Sequence, residues 1–109
     1  VSAPVTCQVG VRDGVLAVTG ALVFATAARA LAEARAPLAR GEARSLDLAK
    51  VTVADSAGLG VVLSLVRQAR RQGTELPIRH APASLLALAQ LCEVDALLGL
   101  QAGEDASPV

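Results

Sequence analysis

The chain has 109 residues and a mass of 11.0 kDa, the length of one domain around a single core. Hydrophobic residues make up 53% of it, and ten basic residues offset ten acidic ones for a formal charge of +0. The chain can therefore bury a core, and it lacks the basic footprint of a nucleic-acid binder. Phe24 is its one aromatic residue, which excludes a platform for stacking bases.

In chain order, Val5, Cys7, Val9 and Val11 alternate with polar or small residues, and Asp13-Gly14 then precedes a second alternating run, Val15 to Thr19. Two such runs around Asp-Gly predict a β-hairpin. Thr26 to Ala36 is rich in Ala and predicts a helix that Pro37 and Gly41 close or kink. Ser45 to Ala49 reads as a strand with Leu46 and Leu48 facing the core and Asp47 facing away, and Val51-Thr52-Val53 follows closely. A periodic helix is expected from about Leu59 to Gln72, stopped by Gly73. Leu76 and Ile78 suggest a fourth strand, and Pro82 opens a last helix with Leu85, Leu88, Ala89 and Cys92 on one stripe. Leu97, Leu98 and Leu100 form a closing apolar segment ahead of a small polar tail, 101–109. The order strand, strand, helix, strand, helix, strand, helix predicts an α/β domain over 1–100, a mixed sheet of four to five strands with helices packed on it.

Cys7 and Cys92 have neither CxxC spacing nor the even set of a secreted disulfide scaffold, so a reducing cytoplasmic setting is expected. Val1 to Gly10 lacks the basic and apolar regions of a signal peptide, and no uninterrupted apolar stretch reaches the roughly 18 residues of a membrane span. A soluble protein that meets membranes only through a partner is the expectation. Both cysteines read as small buried hydrophobes. His80 has no second ligand at metal spacing, which makes it an edge residue, and neither metal nor cofactor is expected. Arg67, Arg70 and Arg71 read as a solvated basic face that also favours the helix C-terminus.

The informative stretch is Asp55-Ser56-Ala57-Gly58-Leu59-Gly60, just ahead of the second helix. One reading makes Ser56 a helix cap. Another uses the same free N–H groups and helix dipole to favour a phosphate on Ser56, with Gly58 and Gly60 letting another protein approach the backbone. On a helical wheel Leu59, Val62, Leu63 and Val66 form the core face, and Ser64, Arg67, Gln68 and Arg71 lie opposite. Val61 and Leu65 fall between the two faces, so they are expected to border solvent and offer an apolar contact beside Ser56. The expected partner surface is Asp55, Ser56, Ala57, Gly58, Val61 and Leu65.

Asp55-Ser56-Ala57-Gly58-Leu59-Gly60, preceded by Leu46-Asp47-Leu48 and followed by an apolar helix ending Arg70-Arg71-Gln72-Gly73, resembles the STAS domain of the bacterial anti-sigma-factor antagonists. The resemblance runs from the opening hairpin to Leu100. It implies a STAS-like fold and a small interaction module without catalytic activity, whose Ser56 is a phosphoacceptor or a partner contact. The antagonist branch usually carries an acid after the second strand, where this chain reads Gly20-Ala21-Leu22-Val23-Phe24. The MlaB-type branch is the closer likeness, carried by Arg67 to Gly73 and by Ala83 to Leu91 running into Val94-Asp95-Ala96-Leu97-Leu98. That branch implies binding to the cytosolic ATPase subunit of a phospholipid-transporting ABC complex. The antagonist branch implies instead a serine kinase that is an anti-sigma factor.

Overall fold

A computed structural model describes residues 5–99. Its elements are β1 (Cys7–Arg12), β2 (Val15–Leu22), α1 (Phe24–Ala39), β3 (Ser45–Ala54), α2 (Ser56–Arg71), β4 (Ile78–Arg79) and α3 (Ala83–Leu91). The four strands form one sheet in the order β1-β2-β3-β4. The hairpin pair is antiparallel and the two other pairings are parallel, as strands joined through helices require. The fold is thus the expected mixed α/β sheet. The expected boundary at residue 100 and the polar tail lie outside the described residues.

The hairpin turns on Asp13 and Gly14, both with positive φ, 53° and 81°. That is the geometry that matches strand twist and that Asp-Gly supplies. Cys7, Val9 and Val11 of β1 sit opposite Gly20, Val18 and Leu16 of β2, and these residues face the helices. The other face of the sheet carries Gln8, Gly10, Arg12, Ala17 and Thr19.

The two short apolar runs between Ser45 and Val53 are one strand of 10 residues, β3. Its register against β2 slips twice: Ala17 pairs with Asp47 but Thr19 with Lys50, and Gly20 pairs with Val51 but Ala21 with Val53. Each slip adds one residue on β3, a β-bulge. The buried positions therefore run Leu46, Leu48, Val51, Ala54, stepping by three where a straight strand steps by two, and Lys50 and Thr52 stay exposed.

α1 starts two residues earlier than its propensity suggests. The Thr26 hydroxyl oxygen accepts from Val23 N at 3.1 Å and donates to Ala21 O at 2.6 Å, turning the chain out of β2. Pro37 does not end the helix. It is buried in the last turn, and the stop comes at Arg40 and Gly41. α2 packs between α1 and α3. Gln68 and Gln72 donate to the carbonyls of Arg35 and Leu38 in α1, and Arg70 donates to Leu97 O at 2.7 Å on the other flank.

This sandwiching corrects the wheel. α2 buries Gly58, Leu59, Val61, Val62, Leu65, Val66 and Ala69, an arc wide enough to meet the sheet and both neighbouring helices. Val61 is 4% exposed and Leu65 0%, while Leu63, assigned above to the core, is only half-buried. A four-residue stripe locates one partner of a helix; this helix has three. Cys92 also departs from expectation. α3 ends at Leu91, so Cys92 is the cap residue beyond it and is exposed.

Candidate functional site

α1 and α2 both begin where β2 and β3 end, and one side chain serves both starts. Asp55 is the N-cap of α2, and its Oδ1 accepts from Ala57 N at 2.9 Å and Gly58 N at 3.2 Å. Its Oδ2 accepts from Phe24 N, the first residue of α1, at 3.0 Å. Three orphan N–H groups from two helices thus converge on one carboxylate. These bonds, with that from Phe24 foremost, hold the Asp55 carboxyl below its ordinary pKa of 3.8, since each favours the ionised form.

The cap expected of Ser56 therefore belongs to Asp55. Ser56 is the first residue of α2, and its side chain is exposed. Gly58 also has a different role from the one expected. A Cβ there would collide with the carbonyl oxygen of Leu22, so the close approach it permits is between α2 and the end of β2, not toward another molecule. Gly60 is exposed, with open space around it. Of the expected surface, Asp55, Ser56 and Ala57 lie together at the helix start, Asp55 and Ala57 half-buried, whereas Gly58, Val61 and Leu65 belong to the interior.

Two residues missed in the sequence complete the corner. Phe24 is 85% exposed although it is the chain's one aromatic side chain, and Val53, at the same end of the sheet, is also exposed. An aromatic ring offers a large apolar area for burial, and this fold leaves that area unused. Its signal was positional: Phe24 follows the second strand where the first turn of a helix points outward.

Away from this corner the remaining chemistry is structural. His80 lies past β4, exposed, with Nδ1 3.1 Å from Asp47 Oδ1. Asp47 also accepts from Ala49 N, and that bond first, then His80, lowers its carboxyl pKa. Cys7 is half-buried, and desolvation followed by the charge of Glu33 raises its thiol pKa. Among the described residues no group of His, Cys, Asp and Glu could hold a metal ion, and no helix is long and apolar enough to cross a membrane.

Comparison with known proteins bears on this geometry. A family model described as "Mlab, STAS domain" matches residues 6–99. No curated protein sequence matches the chain significantly. Among solved structures, the anti-sigma factor antagonist SpoIIAA in its unphosphorylated form superposes with a TM-score of 0.61 at 15% identity, covering 79% of this chain and 83% of that one. At that identity the likeness is one of fold.

Proposed function

The chain belongs to the STAS domain family, and on that premise we propose that it is a non-catalytic accessory subunit of a phospholipid-transporting ABC complex. It binds the cytosolic ATPase subunit through the corner formed by Phe24, Val53, Asp55 and Ser56, and modulates assembly or activity of the complex that maintains outer-membrane lipid asymmetry. The observation that carries this reading is the exposed Phe24 ring, borne on a backbone whose N–H is held by Asp55. An exposed aromatic on a fixed backbone beside a polar rim is the make-up of an interface hot spot. The MlaB description of the matching family model supports the choice of partner. The protein works in the cytoplasm, needs no cofactor, and meets the membrane only through the complex.

A second reading, an anti-sigma-factor antagonist switched by phosphorylation at Ser56, is favoured by the exposed hydroxyl at the first position of α2. A phosphate there would set about two further negative charges beside the Asp55 carboxylate and compete for the same N–H groups.

Affinity purification from the native bacterium separates the two. An ABC ATPase in the eluate, lost with Phe24→Ala and with Ser56→Asp while both variants keep the wild-type melting temperature, supports the first reading. A serine kinase in its place, with phosphate incorporated at Ser56, supports the second. Wild-type partner affinity in both variants removes the corner from either role.

A further inference from the structure

We propose that the free edge of β1 is a self-association surface, on which a second copy of this chain pairs antiparallel and extends the four-stranded sheet to eight strands about a two-fold axis. Among the described residues β1 is a terminal strand of the sheet. Ala21 N donates to Thr6 O at 2.9 Å, which makes Thr6 and Ala21 a hydrogen-bonded pair. By the alternation of an antiparallel ladder, Gln8, Gly10 and Arg12 then bond to β2, while Cys7, Val9 and Val11 turn their N–H and C=O groups outward.

Natural edges are blunted by charged residues, above all Lys, by Pro or by a bulge. Cys7–Arg12 contains no Lys and no Pro, its one charged residue, Arg12, stands at the turn end, and its register with β2 is unbroken. The side chains agree with the backbone. Leu16 and Val18 are buried, yet Val11 and Val9 opposite them, and Cys7 beyond, are only half-covered, and Val5 ahead of these is exposed. The apolar layer under the helices stops short at this edge.

The occupant is a second copy because both layers fit a two-fold axis there. Pairing Val9 with Val9 of the second copy keeps each Cys7 opposite a Val11, holds all the apolar side chains on the helix side, and forms about six new backbone hydrogen bonds. α1 packs on both β1 and β2. With strands about 4.8 Å apart, an axis half a spacing beyond β1 brings the two α1 helices to roughly 10 Å, the separation at which helices pack. The flank of α1 that overhangs the edge carries Arg29, whose residue lines a cleft with Cys7 and Gln8, and Glu33, whose charge acts on the Cys7 thiol. Arg29 and Glu33 already pair within each copy, Nε to Oε2 at 3.0 Å; opposite charges one turn apart on an antiparallel helix pair are self-complementary, so the two pairs close into one four-charge network across the axis, with Arg29 of each copy beside Glu33 of the other. The surface is separate from the Phe24–Ser56 corner, and the proposal stands whatever binds there.

Sedimentation of the full chain at rising concentration tests it. A strand and one helix flank make a small interface, so dimers of twice the 11.0 kDa chain mass are expected with a micromolar dissociation constant. Val9→Pro removes an outward N–H and no bond to β2, and should leave a folded monomer. Glu33→Arg should weaken the dimer at least about tenfold, and Arg29→Glu with Glu33→Arg should restore it. A wild type that stays monomeric to about 1 mM overturns the proposal. Dimers that survive Val9→Pro, or that ignore both charge variants, overturn it as well, because they use another surface.

Discussion

Where α1 and α2 begin, three N–H groups from two helices meet on Asp55, Thr26 fixes the turn out of β2, and Gly58 seats α2 against the Leu22 carbonyl. Where β4 and α3 close the fold, a two-residue strand is followed by a helix of 9 residues. That helix follows Pro82 with no side-chain cap, and Glu93, two residues past its end, is left-handed, φ 60°. The first region is fixed redundantly, and the second rests on Leu85, Ala89 and Leu98 in the core. Stability is therefore distributed unevenly. A partner docking at the first corner, as proposed, would meet a backbone already in place, so little binding energy would be lost to ordering it.

The largest test breaks the first region from inside. Val61→Arg should cost about 3–5 kcal/mol or abolish folding, because a guanidinium would lie unpaired in the core; chemical denaturation measures it. Gly58→Ala should cost about 1–3 kcal/mol, since backbone, unlike a flexible side chain, cannot move aside for the new methyl. Next in size is the pH response of two carboxylates, the Asp55 cap and Asp47 in β3. The Asp55 and Asp47 carboxyls are held below 3.8 in the folded chain, so their stabilisation is complete above that value and is lost as pH falls through the lower, folded pKa values. The melting temperature should hold between pH 7 and 5, to order of magnitude, and drop on acidification below about 4. Asp55→Asn should lower it at neutral pH and flatten the acid limb. The smallest effect sharpens the comparison from the other side. Glu93→Gly should raise stability by up to about 1 kcal/mol, because it relieves a left-handed residue at the end of α3. Hydrogen exchange in wild-type α3 should be faster than in α2.

The element order, the hairpin turn and the end of α2 were legible, because Asp13-Gly14, the period of α2 and Gly73 act through neighbours in sequence, whereas α2 begins at Ser56, three residues before the expected Leu59. What was not legible depends on distant groups. Nothing near Ser56 shows that Asp55 also reaches Phe24, 31 positions away. Val61 and Leu65 sit on the α1 side of α2, and a helical period cannot say that a second helix covers that side. Cys92 follows the stripe of α3 but falls one residue past its end. Lys50 made β3 look like two pieces, since the bulges that expel it appear only against β2.

Those bulges set a rule for how this chain tolerates change in length. Each extra residue on β3 reverses which face the following side chains take, and the second reversal cancels the first, so Ala54 again lies beside Leu22 and Asp55 emerges toward both helices. Each bulge is one residue on β3 that β2 does not match, so a chain one residue shorter at a bulge keeps Ala54 beside Leu22 and Asp55 at the start of both helices by straightening that step. Changes in length are thus tolerated at the two bulges, between Asp47 and Lys50 and between Val51 and Val53, and not in the regular stretch from Ser45 to Asp47, where a one-residue slip turns every following side chain to the other face.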